Sequence, residues 1–161
     1  ALLSDGTIKC WGENSYGQLG DGSTIRTLAT TPVIGILSSA TAVTCAVGAQ
    51  LGGHTCALLS GGAVMCWGYN SAGELGDGTR VNRLEPTPVS GISSGAVAVA
   101  AGSHHTCAIL LGGAVKCWGS NYDGLLGDGT TVDKLVPTPV NGISSGATAI
   151  AASAVYTCAP G

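Results

Sequence analysis

The chain has 161 residues, a formal net charge of −3 and 27 glycines; 45% of its residues are hydrophobic, but only 4% are aromatic and 9% charged, with no phenylalanine. Small side chains must therefore do much of the packing, which suits closely apposed sheets and excludes a helical bundle with leucine-rich stripes and charged outer faces. Six scattered basic residues (Lys9, Arg26, Arg80, Arg83, Lys116, Lys134) form no cluster of the kind nucleic-acid binding needs, and no run of eighteen apolar residues predicts a membrane span.

The chain opens on Ala1-Leu2-Leu3, which matches the Ala57-Leu58-Leu59 that follows Cys56. The expectation is a chain that begins inside a repeat, one position after a cysteine, as a three-unit segment of something longer. Cys-Trp-Gly then starts at Cys10, Cys66 and Cys117, each time followed within ten residues by Leu-Gly-Asp-Gly. The copies start 56 and 51 residues apart. A fixed period of about fifty residues means stacked supersecondary units, none able to bury its apolar face alone. The units are counted as 1–55 (the end of one blade plus a divergent unit), 56–106, and 107–161, which is truncated. The first unit carries five extra residues around Thr44 to Gly52, together with Cys45, the one cysteine outside the pattern.

In the third unit, Ala96–Ala101 is short, apolar and bounded by Gly95 and Gly102, and reads as a buried strand. Thr106–Leu110 is a second strand, Gly112-Gly113 a turn and Ala114–Trp118 a third strand. Asn121–Gly129, dense in Gly, Asn and Asp, supplies positive φ and side-chain-to-backbone turns, which predicts an ordered loop. Val136–Val140 is an edge strand, because its prolines cannot donate to a ladder. Four short antiparallel strands per unit, with no helical period, describe a propeller blade. The fold class is all-β: three blades of about four strands each, part of a larger propeller or assembly.

Seven cysteines in a short chain suggest an oxidising compartment, hence an extracellular or cell-surface location. Cys56 and Cys66 are equally spaced about Gly61, as are Cys107 and Cys117 about Gly112. An odd-length hairpin loop places each pair opposite, at a separation of about 4.5–5.5 Å within disulfide reach. Such a bond contributes roughly 2–3 kcal/mol. Cys10 and Cys158 lack such mates and are expected to pair with sequence outside this segment or with another copy. For Cys45 a free thiol, a bridge to Cys10 and a bond to another chain are all open.

The strings Trp11-Gly12-Glu13-Asn14-Ser15-Tyr16-Gly17-Gln18-Leu19-Gly20, Gly102–Leu110, Gly113–Asn121, Gly124–Gly129 and Pro137–Val140 resemble a regulator-of-chromosome-condensation repeat. The resemblance covers essentially the whole chain and implies a seven-bladed propeller, of which three units are a part. Kelch propellers have a similar period but lack the Trp-Gly-x-Asn-x-x-Gly-x-Leu-Gly string. The founding member's nucleotide exchange on a small GTPase and its chromatin docking are not carried over, because those functions live in loops and basic faces absent from this acidic segment. The cysteine-paired version is similar to secreted or surface-exposed bacterial relatives.

His54 and His105 stand two residues before a repeat cysteine, with His104 beside the second, but the third copy has Tyr156 at that position. A hydrogen-bonded structural role fits better than a metal site, which needs three or four converging ligands. Asp21, Asp77 and Asp128, near Asn14, Asn70 and Asn121, offer calcium too few oxygens and read as turn caps. Trp11, Trp67 and Trp118 recur at one phase, which predicts packing against the neighbouring blade. No metal or other cofactor and no enzymatic role is expected. Recognition is expected in the segments that vary between copies, through Arg26, Arg80, Arg83, Glu85, Asp133 and Lys134. The expected role is an extracellular interaction or assembly module, whose partner is a protein or further copies or repeats of itself. The alternative is a glycan- or cell-wall-binding propeller accessory to an enzyme, which calls for exposed aromatics grouped on one face; Tyr16, Tyr69 and Tyr122 decide between the two.

Overall fold

A computed structural model describes residues 1–47, 52–154 and 156–159. Its strands are β1 (Lys9–Gly12), β2 (Thr27–Pro32), β3 (Ala40–Val47), β4 (Gly53–Leu59), β5 (Val64–Gly68), β6 (Arg83–Pro88), β7 (Ala96–Ala101), β8 (His105–Leu110), β9 (Val115–Gly119), β10 (Lys134–Pro139), β11 (Ala151–Ala152) and β12 (Thr157–Cys158). They form two four-stranded antiparallel sheets in the orders β3-β4-β5-β6 and β7-β8-β9-β10. Two-stranded sheets, β1-β2 and β11-β12, flank them. The only helical piece among the described residues is one 3₁₀ turn, Tyr122–Gly124, inside the predicted loop. No described helix is long and apolar enough to cross a membrane. In the stretch that carries the insertion, β3 runs two residues further than β7, through Ala46 opposite His54 and Val47 opposite Gly53, and residues 48–51 lie outside the described residues.

Register makes the two short sheets complementary halves of one blade. Cys10 faces Thr31 in β1-β2, as Cys66 faces Thr87 and Cys117 faces Thr138 in the complete sheets. Ala151 faces Cys158 in β11-β12, as Thr44 faces Cys56 and Ala100 faces Cys107. The chain thus presents an outer half-blade, two whole blades and an inner half-blade. Within the whole blades Cys56 faces Cys66 and Cys107 faces Cys117 with Cα atoms 4.1 Å apart, and both pairs are disulfide-bonded.

The core lies between sheets. Leu58, Val64, Leu75, Val89 and Ile92 of one blade pack with Ala108 and Trp118 of the next, all nearly inaccessible. Close approach here depends on glycine. A methyl on Gly20 would lie 2.6 Å from Trp67 Nε1, and one on Gly76 would lie 2.6 Å from Trp118 Nε1. Both glycines also adopt positive φ (71° and 66°), so the Leu-Gly step turns the loop and admits the next blade's indole at once.

Candidate protein-interaction face

Each loop after Cys-Trp-Gly is built around one fully buried asparagine, Asn14, Asn70 or Asn121. Asn121 Oδ1 accepts from Leu126 N at 3.0 Å, while its Nδ2 donates toward Asp128 Oδ1, Thr130 O and Val132 O at 3.0–3.2 Å. Asn14 and Asn70 make the same contacts in their own loops. The Gly-Asp-Gly aspartates complete the cage. Asp77 Oδ1 accepts from Thr79 N and Oγ1 at 2.9 and 2.7 Å, the arrangement of an Asx turn. Burial raises the Asp128 carboxyl, but hydrogen bonds from Thr130, Asn121 and Lys134 outweigh it and hold it well below the ordinary value. These carboxylates spend their acceptors on the loop itself.

Neighbouring units are locked by a repeated relay. Gln18 O accepts from Thr55 Oγ1 at 2.9 Å and from Trp67 Nε1 at 3.0 Å. Glu74 O accepts likewise from Thr106 Oγ1 and Trp118 Nε1, at 2.8 and 2.9 Å. His54 Nε2 lies 2.8 Å from Thr106 Oγ1, and His105 Nε2 lies 2.7 Å from Thr157 Oγ1. Each threonine hydroxyl gives its single proton to a carbonyl, so it accepts from the histidine, which fixes the Nε2–H tautomer. Burial, with the nearby His105 and His104, pushes His54 down to about 3; burial and His104 push His105 down to about 4. Both rings are therefore neutral structural links at pH 7, and their Nδ1 atoms are buried without a protein partner.

One inter-unit contact is peculiar to the middle of the chain. Glu74 is wholly buried, with Oε2 accepting from Ala72 N at 2.8 Å and Oε1 lying 3.7 Å from His104 Nδ1. Burial raises its carboxyl above the usual range. Beside it Tyr69 meets His104 edge-on at 6.5 Å, and Tyr16 meets Tyr69 edge-on at 4.9 Å. Tyr16 and Tyr69 are half-buried in this row, whereas Tyr122 is exposed. The three tyrosines thus form no shared exposed platform.

The six charged residues expected in recognition divide in two. Arg83 is bound to Asp77, with Nε donating to Oδ2 at 2.8 Å, and Lys134 lies 3.1 Å from Asp128. Asp133 accepts from Asn121 N at 3.0 Å and from Arg80 Nη2 at 3.1 Å, the latter tying the second loop to the third. Arg26 and Glu85 are exposed, as is Arg80 despite its ion pair. The structure adds Ile25, Val81 and Val132, which occupy one equivalent position and are 73%, 57% and 64% exposed. Their backbone carbonyls serve the buried asparagines, while the side chains face outward. The recurring β-branched residue was visible in the sequence, but alternation alone suggests a strand interior for it.

Cys10, Cys45 and Cys158 are free thiols, Cys10 half-buried and the other two exposed. Trp67 and Trp118 are fully buried against the preceding loop, in accord with their repeated phase, but Trp11 is 54% exposed. Among the described residues no group of three or more His, Cys, Asp or Glu side chains could hold a metal ion.

A model of the regulator of chromosome condensation (RCC1) repeat matches residues 61–109 and 113–159, and a second model of the same repeat matches 1–18 and 96–125. The chain is 35% identical over 141 residues to the probable E3 ubiquitin-protein ligase HERC3 of Homo sapiens, covering 87% of this chain and 13% of that protein. It is 32% identical over 146 residues to the ultraviolet-B receptor UVR8 of Arabidopsis thaliana, covering 90% and 32%. Among solved structures, human WBSCR16 superposes with a TM-score of 0.80 at 22% identity over 99% of this chain and 41% of that one. Prp20p from Saccharomyces cerevisiae, whose binding to Gsp1p and histones accompanies its structure, superposes at 0.79 with 21% identity over 99% and 40%. The chain therefore spans a third or less of these curated relatives and about two fifths of the solved chains, and the superpositions establish the propeller fold.

Proposed function

Because the chain belongs to the regulator of chromosome condensation repeat family, we propose that it is a non-enzymatic interaction module that presents its loop tips to a protein partner. The observation that carries this reading is the set Ile25, Val81 and Val132: an exposed aliphatic side chain held at the same place in every unit by a caged, buried asparagine. A loop already ordered by its own hydrogen bonds loses little entropy on docking, so even a small apolar contact retains most of its binding energy. Arg26, Arg80 and Glu85 would form the charged surround. Prp20p, with its stated binding to Gsp1p and histones, supports a protein as the class of partner. The half-buried Tyr16–Tyr69 pair speaks against a stacked glycan platform.

The module acts outside the cell or at its surface, a location supported by the two hairpin disulfides, which persist in oxidising compartments. Binding is tested by capture from the secreted and surface fractions of the source with the native chain and with an Ile25→Asp, Val81→Asp, Val132→Asp variant. A partner held by the native chain and lost by the variant is expected; equal capture by both overturns the reading. Alkylation of native material that finds Cys56 and Cys66 reduced overturns the location.

A further inference from the structure

We propose that Glu74 and His104 form a proton-operated clasp across the joint between the two whole blades: one proton held between His104 Nδ1 and Glu74 Oε1 closes the joint, and its loss as the pH rises loosens it. The clasp is independent of what the loop tips bind.

Its origin is a buried acceptor that lacks a donor. Glu74 is wholly buried, and its Oε2 takes the Ala72 amide at 2.8 Å. Oε1 is buried as well and makes no hydrogen bond. His104 Nδ1 stands 3.7 Å from it, further than the bond of about 2.7–2.9 Å that a charged donor makes. One proton on either atom makes the two a donor and an acceptor, and both placements belong to one titration state of the pair. Without that proton a carboxylate oxygen is left buried and unpaired, which is costly. The His104 side chain is 33% exposed, so water can deliver and remove the proton. Burial raises the Glu74 carboxyl against the opposing Ala72 amide and His104, so the folded joint holds a proton at a pH where an unfolded glutamate has released it.

The repeat supplies the comparison. In the preceding joint Gln18 takes the place of Glu74 and Gly53 the place of His104. The two joints are otherwise built alike. A methyl on Gly68 would meet Gly53 O, His54 Cα and Gln18 Cα, and one on Gly119 would meet His104 O, His105 Cα and Glu74 Cα. Gln18 Oε1 accepts from Tyr16 N at 2.9 Å, as Glu74 Oε2 accepts from Ala72 N. At the third occurrence the sequence has Leu125 and Val155. Acid and imidazole thus enter together at one joint and are missing together from the other two places. Capping the local turn does not call for the acid, because Gln18 does so without a charge.

The surroundings offer no substitute cation. His104 is the only ion-pair neighbour of Glu74 among the described residues. Strands β8 and β9 meet Glu74 through Thr106 and Trp118, both uncharged. Besides Glu74, the titratable groups around His104 are Tyr69, edge-on at 6.5 Å, and His54 and His105. The two buried histidines, at about 3 and about 4, stay neutral in the range where the clasp works.

Trp118 reports on this joint, because its Nε1 donates to Glu74 O, and Trp67, which donates to Gln18 O, reports on the joint without the pair. The test follows hydrogen exchange of both indole N–H groups by NMR from about pH 6 to about pH 8.5, with each rate divided by the intrinsic rate at that pH. Protection of Trp118 is expected to fall about tenfold, the change produced by one unit of difference in the pair's proton affinity between the closed and open joint, while protection of Trp67 holds. The fall coincides with loss of the pair's proton, read from the carboxyl carbon of Glu74 and the ring carbons of His104. Glu74→Gln with His104→Gly gives this joint the residues of the preceding one and abolishes the fall. Constant protection at Trp118, an equal fall at Trp67, a fall out of step with both side chains, or a fall that survives in the double variant each overturns the clasp. The first three are read on the native chain and do not require the variant to fold.

Discussion

Acidification from pH 7 to pH 5 should destabilise the protein through His54 and His105. Both rings are buried and donate from Nε2 to a threonine whose own proton is committed to a carbonyl, and their folded values lie near 3 and 4. In the unfolded chain an imidazole titrates near about 6.5. Both shifts are downward, so between these values the unfolded chain binds protons that the folded one refuses, and stability rises with pH across that window. At pH 5 the folded rings are still neutral, so the loss is set by the unfolded chain alone, at about 2 kcal/mol per histidine and about 4 kcal/mol for the two. Glu74 opposes this, because its folded value is raised and protonation relieves a buried charge as the pH falls. Asp21, Asp77 and Asp128 have lowered values, so their contribution is lost only in more acid solution. Urea unfolding at pH 7 and pH 5, on the native chain and on a His54→Gln, His105→Gln variant, isolates the histidine part. The native chain should lose about 4 kcal/mol more than the variant. Equal losses in the two proteins would refute the argument.

Four other substitutions and one treatment probe the architecture. Thr106→Val leaves both His54 Nε2–H and Glu74 O short of a buried partner and should cost about 1–3 kcal/mol in chemical denaturation. Asn121→Ala removes the hub of the third loop and should cost about 2–4 kcal/mol, with faster amide exchange at Leu126. Gly76→Ala drives a methyl into Trp118 and should red-shift tryptophan emission; Gly91→Ala, at a similar φ of 71° with nothing within 4 Å, should cost only the backbone penalty of about 1–2 kcal/mol and leave emission unchanged. Reducing Cys56–Cys66, which closes a loop at a sequence separation of 10, should lower stability by roughly 2–3 kcal/mol.

The sequence alone determined the elements and their local closure. Strand edges in the third unit fall within two residues of the pattern, the cysteines that flank a central glycine are cross-strand partners, and the Gly-Asp-Gly aspartates cap turns. These are short-range consequences of side-chain alternation, proline, glycine and hydrogen-bonding reach, and a three-fold repeat makes each of them legible three times. What only the tertiary structure decided is which residues meet across units. Nothing in the spacing says that Thr106 bridges His54 and Glu74 O, that Glu74 lies buried beside His104, or that Arg83 and Lys134 hold their own loops. Equivalent residues also part company in space. Trp67 and Trp118 are inaccessible while Trp11 is half exposed, because burial of an indole belongs to the joint between two units, and a residue's place in its own repeat does not specify what stands on the other side of that joint.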